Sequence, residues 1–402
     1  MGTIFYSVSG EGRGHATRVK AMVDELCGKH RVVIYAPDMA YDFLSQAYQK
    51  TDVQVRRIPG LSFHYTAYRH LNPVKTLWQN AVNAIGFPGV IQRIQRDIES
   101  ECPDVAITDF EPLLPRAAQR CGLPFISLDH QHFLLTYDLS SLPRWLRMIA
   151  ALMSGVVGAY YDGQAQTIVS SFYFPPLRPE CQNVEQIGVL LRPEILQAKS
   201  ARGEHVVAYL RRSVPMNVYD ALTECGCDVH VYGLGPRSAY KSLQFFEVDA
   251  YRFVQDLAAS RALISTAGNQ LVGEALYLGK PVLAMPERGN YEQHINAHFL
   301  EQCGGGMACS MEKFSGLVAR RFLKTFREPL ASVNPARLYG NPAALNIIER
   351  YLPPSRSTLQ TTAHLERPLS NIEGERRKRF APAVHFRQKT FRPTGNVSGV
   401  TA

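Results

Sequence analysis

The 402-residue chain predicts an α/β protein built from two doubly wound domains, and three observations carry that expectation. Short apolar runs alternate with stretches of helical periodicity, and the alternation restarts after a polar linker at residues 197–204. The first strand feeds into a glycine-rich turn, Gly10-Glu11-Gly12-Arg13-Gly14. A late strand feeds into a turn of small residues, Ser265-Thr266-Ala267-Gly268-Asn269. Turns that leave the carboxyl end of a strand and open a helix are where open parallel sheets hold ligands.

Composition sets outer bounds. With 46% hydrophobic and 20% charged residues, the chain can form full cores in two domains. Of the formal net charge of +9, the segment after Leu352 supplies +6, from nine Lys and Arg against three Asp and Glu. Basicity is thus a tail property, and no nucleic-acid partner is expected. Eight cysteines lack the two-residue spacing of metal pairs, which fits free thiols in a reducing cytosol. The N-terminus runs straight into a strand without a signal-peptide pattern, and Tyr6 breaks the myristoylation pattern. A cytoplasmic protein is expected.

In chain order, Ile4-Phe5-Tyr6-Ser7-Val8 is the first strand. The loop after it reads G-x-G-x-G-H, not G-x-G-x-x-G, which weakens a nicotinamide-cofactor reading. His15 stands at the start of the following helix, either as a loop hydrogen-bonding group or as a catalytic base. Strands follow at 32–36 and 53–58. Residues 63–98 mix aromatic and basic side chains (His64, Tyr65, Tyr68, Arg69, His70, Trp78, Phe87, Arg93) and read as helices walling one half of a cleft.

The strand at 103–109 delivers Asp109 to its carboxyl end, near His15, where it can orient the imidazole or cap the helix after Pro112. A strand at 125–128 ends in Asp129-His130-Gln131-His132-Phe133, whose two histidines stand without a carboxylate cluster and suggest no metal. Residues 145–161 are apolar but interrupted by Arg147, Ser154, Gly155 and Gly158, too short for a membrane span. A buried helix is the default expectation. An interfacial helix headed by Arg144 and Arg147 is the alternative.

Strands at 167–171 and 186–191 close the first domain, residues 1–196. The second domain, 203–336, opens with a strand at 205–210 and the turn Arg211-Arg212-Ser213-Val214-Pro215. One of the two arginines suits a diphosphate, while Ser213 suits a helix cap. Strands at 229–233 and 243–248 lead to a helical stretch at 251–257 that contains Phe253. Then come the strand 262–264, the small-residue turn, a helix to about Leu278, a stop at Gly279 and a strand at 281–285. The first-turn amides of that helix lack intrahelical partners and face an anion well. Glu274, over one turn into a helix of small and apolar residues, is either a ligand for a sugar diol or a solvated or capping carboxylate. A final helix lies within 337–352, and the basic stretch 353–402, centred on Arg376-Arg377-Lys378-Arg379, loses periodicity and reads as disordered.

Gly268, Glu274, Pro286, Glu292, Gln293 and Asn296-Ala297, together with the glycine turn that ends in His15, resemble the nucleotide-sugar glycosyltransferases of the GT-B fold. The pattern is similar to the N-acetylglucosaminyltransferase of the peptidoglycan precursor and to the UDP-glycosyltransferase group. The resemblance covers roughly residues 1–352. It implies two Rossmann-like domains facing a cleft, with the last helix returning to the first domain, and inverting transfer of a sugar from a UDP-linked donor to a hydroxyl acceptor.

By the same resemblance, His15 is the base and Asp109 its partner, while Gly12, Gly14, Arg18, His130 and Gln131 face the acceptor. Glu274 holds ribose hydroxyls, Glu292 and Gln293 hold the donor sugar, and Phe253 lies in the segment that recognises the nucleobase. Thr266, Gly268, Asn269, Arg211 and Ser213 complete the donor side. The nucleotide sugar is a co-substrate and no metal cofactor is implied. The acceptor is a lipid, a glycan or a small molecule, and the lipid case implies peripheral contact with the inner face of a membrane in cell-envelope or glycoconjugate biosynthesis. A hydrolysing nucleotide-sugar epimerase and a non-catalytic sugar-nucleotide sensor fit the same pattern.

Overall fold

The computed structural model describes residues 1–10, 12–60, 73–211, 214–328 and 330–354, without side chains at 12–13 and 73–85. Arg212, Ser213, the aromatic and basic residues from His64 to His70, the Trp78 side chain and the tail from Ser355 lie outside the described residues.

The first sheet has seven parallel strands: β1 (Thr3–Val8), β2 (Arg31–Ala36), β3 (Gln54–Arg57), β4 (Val105–Asp109), β5 (Phe125–Asp129), β6 (Gln166–Ser170) and β7 (Val184–Ile187). Their spatial order is β3-β2-β1-β4-β5-β6-β7. β4 is buried at all five positions, as a continuous apolar run covered on both faces demands. The second sheet has six: β8 (Val206–Tyr209), β9 (Val229–Tyr232), β10 (Leu243–Phe245), β11 (Ala262–Ser265), β12 (Val282–Ala284) and β13 (Gly306–Ala308), in the order β10-β9-β8-β11-β12-β13. β13 has no counterpart in the sequence reading, because Gly306-Met307-Ala308 is too short and too glycine-rich to read as a strand.

Strand order reverses between β1 and β4 in one sheet and between β8 and β11 in the other. Each reversal opens a crevice at the strand carboxyl ends. The first crevice receives the glycine turn and Asp109, and the second receives Arg211 and the Ser265–Asn269 turn. Backbone strain marks both: Phe110, just after Asp109, has φ 54°, and Ala267 has φ 63°. A non-glycine residue in the left-handed region costs about 1–3 kcal/mol and persists where the surroundings over-determine it.

The Asn269–Tyr277 helix packs against the end of the first domain. A Cβ on Gly273 would lie 2.4 Å from Val189 Cγ1, so only glycine permits this approach. The Asn341–Glu349 helix buries Ala344, Ile347 and Ile348 in the same apolar cluster as Ile4, Val19 and Met22 of the first domain.

One expectation is corrected. The Arg144–Gly158 helix is not buried: only Leu146, Ala150 and Val157 are, while Trp145, Met148, Leu152 and Val156 are 51%, 74%, 75% and 57% exposed. The segment is amphipathic in position but apolar on both faces, so hydrophobicity alone pointed inward.

Candidate active site

A cavity of about 610 Å³ separates the two crevices and is lined from both. On the first-domain side, His15 begins the Gly12–Leu26 helix and lies over the end of β4. Its Nδ1 stands 2.7 Å from Asp109 Oδ1. Asp109 is fully buried and also accepts from Arg18 Nε at 2.7 Å and Arg18 Nη2 at 2.5 Å. Burial opposes the Arg18 charge, but the Asp109 carboxylate more than offsets that and holds the guanidinium more firmly protonated than usual.

Arg18 Nη2 also comes within 3.0 Å of His15 Nδ1. That nitrogen cannot both accept from Arg18 and donate to Asp109, and the shorter carboxylate contact fixes the Nδ1–H tautomer. Nε2 then carries a lone pair toward the cavity, where the Gln131 amide approaches at 3.4 Å.

The two roles considered for Asp109 are thereby separated. The helix Leu113–Arg120 is capped by Glu111, whose Oε1 and Oε2 accept from Leu113 N at 2.7 Å and Leu114 N at 3.0 Å. Burial pushes the Glu111 carboxyl up to about 7 despite these two amides. Asp109 is free to serve His15 and Arg18.

On the second-domain side, the Asn269–Tyr277 helix has no side-chain cap at its N-terminus. Thr266, Gly268 and Asn269 line the cavity there. Ser265, 1% exposed at the end of β11, lines it too, and its Oγ has no partner. Arg211 lines the cavity without an ion pair to any described residue. Phe253 reaches it from the Ala250–Ala259 helix, edge-on to Tyr209 and Tyr232.

Glu274 is buried and faces the cavity, so it is neither solvated nor a cap. Arg192, from the segment after β7, grips it through Nε to Oε1 at 3.1 Å and Nη2 to Oε2 at 2.9 Å. Gln270 Nε2 donates to the same Oε1 at 3.1 Å and to Leu190 O at 2.7 Å. Glu292 lies across from Gln131, whose amide reaches Glu292 Oε2 at 3.4 Å. Gln293 is buried, and its Oε1 accepts from Glu287 N at 2.7 Å, shaping the loop before its helix.

Two expected site residues hold the domains together through their side chains. Asn269 donates to Ser170 O at 3.1 Å and accepts from Phe172 N at 3.3 Å, so its side chain is tied to the first domain. His130 is fully buried, does not line the cavity, and lies within 3.2 Å of Ser170 O and 3.1 Å of Asn296 Oδ1. Burial lowers its pKa, so the neutral ring donates to one of these acceptors. Asn296 also donates to Ala267 O at 3.0 Å, bracing the strained Ser265–Asn269 turn.

Gly14, His15, Arg18, Gln131, Arg211 and Phe253 thus line one cavity with Thr266, Gly268, Asn269, Glu274, Glu292 and Gln293. Asp109 supports it from below, His130 stands behind it, and Gly12 opens the first helix. The sequence reading missed Arg192, Gln270, Ser265 and Glu111. Arg192 carries no local signal, since its partner is 82 residues away. Ser265 opens the small-residue turn, but as the last residue of β11 it carries no signal of its own that separates a ligand-facing hydroxyl from a strand end.

A family model described as glycosyl transferase family 1 matches residues 2–327. The chain is 23% identical to an uncharacterized glycosyltransferase of Methanosarcina mazei over 343 residues, which cover 76% of this chain and 85% of that protein. Its fold is similar to the calicheamicin glycosyltransferase CalG4, with TM-score 0.61 and 15% identity over 87% of this chain and 98% of that one. It is similar also to LpCGTa, solved in complex with UDP, with TM-score 0.60 and 16% identity over 88% of this chain and 100% of that one. The two-sheet arrangement is the GT-B fold expected from the sequence.

Proposed function

Because the chain belongs to glycosyl transferase family 1 and is a transferase, we propose that it moves a sugar from a UDP-linked donor to a hydroxyl acceptor with inversion at the anomeric carbon. The observation that carries this reading is the opposition of His15 Nε2, set by Asp109, to the uncapped helix N-terminus with the unpartnered Ser265 Oγ. The acceptor oxygen attacks the anomeric carbon and its proton passes to His15 Nε2. The bond from that carbon to the diphosphate oxygen breaks, and the departing charge falls on the helix amides, Ser265 and Arg211. These groups meet the leaving-group charge without a metal ion. Glu274 takes ribose, and Glu292 faces the donor sugar.

The test is turnover of UDP-sugars over a panel of lipid, glycan and small-molecule acceptors. His15→Ala should lower kcat about a hundred- to ten-thousand-fold. Near-wild-type turnover would remove His15 as the base. Release of UDP and free sugar without acceptor would favour hydrolysing epimerisation, and tight donor binding with no turnover would favour a sensor.

Among the acceptors, a membrane lipid has support from one surface. Trp145, Met148, Leu152 and Val156 form an exposed stripe at helical spacing, headed by Arg144 and Arg147 and free of acidic residues. Leu152 and Val156 also line the cavity, so the stripe runs into the acceptor side. No helix among the described residues is long and apolar enough to cross a membrane. The protein should therefore float with anionic vesicles at low salt and lose that binding when Trp145 and Met148 become Ser; no flotation would leave a water-soluble acceptor.

A further inference from the structure

Glu274 has little acceptor capacity left. A carboxylate offers about four lone-pair sites. Oε1 already accepts from Arg192 Nε and Gln270 Nε2, and Oε2 accepts from Arg192 Nη2. One site on Oε2 remains, enough for a single hydroxyl. The bidentate grip on a diol that an unpaired carboxylate would offer is closed by Arg192.

Gln270 stands one turn before Glu274 on the same helix face and is 7% exposed. Its amide nitrogen is used twice, by Leu190 O and Glu274 Oε1, which fixes the orientation of the group. Its Oε1 is buried, has no partner, and belongs to a side chain lining the cavity. A buried acceptor left unpaired is costly unless a ligand or water meets it. Glu274 lies five residues from Asn269 at the start of the helix, about 7.5 Å along the axis, which suits a ribose whose diphosphate sits on the helix N-terminus.

We propose that the donor's ribose diol is divided between two residues, one hydroxyl on Glu274 Oε2 and the other on Gln270 Oε1, with Arg192 enforcing the division by occupying the rest of Glu274. The inference rests on the reading that this helix takes a nucleoside diphosphate. It makes Gln270 a direct donor-binding residue and Arg192 a specificity-determining one. The two hydroxyls then differ in worth, since one meets a charged acceptor and the other a neutral one.

The experiment is calorimetric titration of the full chain with UDP, 2′-deoxy-UDP and 3′-deoxy-UDP. In the wild type, loss of one hydroxyl should weaken binding about ten- to hundredfold and loss of the other about two- to tenfold. In Gln270→Met the smaller effect should fall below about twofold while the larger remains. Equal large effects in the wild type would mean that Arg192 gives way and Glu274 takes both hydroxyls. That result overturns the inference and leaves the donor reading intact, and it needs no variant to fold. Persistence or growth of the smaller effect in Gln270→Met would overturn it as well. If neither deletion weakens binding, or UDP does not bind, the ribose role of Glu274 fails and the inference with it.

Discussion

Replacing Asp109 with Asn keeps the side chain's shape and removes its charge at a position where three donors converge. The amide has one acceptor oxygen and one NH₂ group. If the oxygen faces His15 and Arg18 Nη2, the NH₂ meets Arg18 Nε, donor against donor. If the amide turns over, the NH₂ faces His15 Nδ1 and drives the imidazole to its Nε2–H tautomer, which cannot accept a proton on the cavity side. In both orientations the buried Arg18 loses its counterion, which costs about 3–5 kcal/mol. That is a large share of a total stability of about 5–15 kcal/mol. Loss of the correct tautomer costs up to about ten-thousand-fold in turnover. The two effects separate in the double variant Arg18→Met with Asp109→Asn, which removes the stranded cation but still leaves His15 without the carboxylate that stabilises its protonated form. Urea unfolding and kcat at saturating substrates should show the double variant regaining at least half of the stability lost by Asp109→Asn and none of the turnover. Turnover of Asp109→Asn within about tenfold of wild type, or its recovery in the double variant, would refute the assignment of Asp109 as the orienting partner of His15.

Gly273→Ala should destabilise the fold by about 1–3 kcal/mol, because the new methyl meets Val189 at 2.4 Å, and Val189→Ala in the same chain should restore most of the loss in a thermal melt. A pH dependence comes from Asp256, which takes His205 Nε2 at 2.9 Å and His230 Nδ1 at 2.9 Å, with the two rings stacked at 4.2 Å. The hydrogen bond to Asp256 raises the His205 pKa against a smaller desolvation effect, with Lys280 opposing it. Stability from this proton is fully present below the unfolded histidine value of about 6.5 and is lost as pH rises through the folded value. Urea midpoints of the wild type should therefore fall from pH 6 to pH 8.5 more steeply than those of His205→Gln, and parallel profiles would dismiss the linkage.

Much of the fold was legible because its signals are local. Strand and helix alternation, the break at 197–204 and the two small-residue turns each sit within one short window of sequence. The Asn269–Tyr277 helix was legible for the same reason: Ser265 to Asn269 announces an N-terminus that needs no distant partner. What the sequence hid is whatever depends on the domains meeting. The grip of Arg192 on Glu274 spans 82 residues, that of Asn269 on Ser170 spans 99, and that of His130 on Asn296 spans 166. His130 and Asn269 were polar residues in site-like turns, and their chemistry suited a ligand as well as it suited a buried junction. Only the partner on the other domain decides between those uses.

That junction also holds the Ser265–Asn269 turn in place. Asn269 holds Ser170 and Phe172, and Gly273 lets Val189 approach the helix, so the turn is fastened to the first domain on two sides, while Asn296 of its own domain holds Ala267 O. A turn fastened in this way keeps its amides aimed without a ligand, which under the proposed transfer is the preorganisation that transition-state charge requires. The same fastening fixes Glu274 against Arg192 and sets how many hydroxyls it can accept. Across the cavity, Gln131 alone among the described residues approaches both His15 Nε2 and Glu292 Oε2, at 3.4 Å to each, too long for strong hydrogen bonds. The Ser265–Asn269 turn is therefore tightly held and the Gln131 bridge is weak, so under the proposed transfer an acceptor hydroxyl that takes the place of the Gln131 amide at His15 gives up little in doing so.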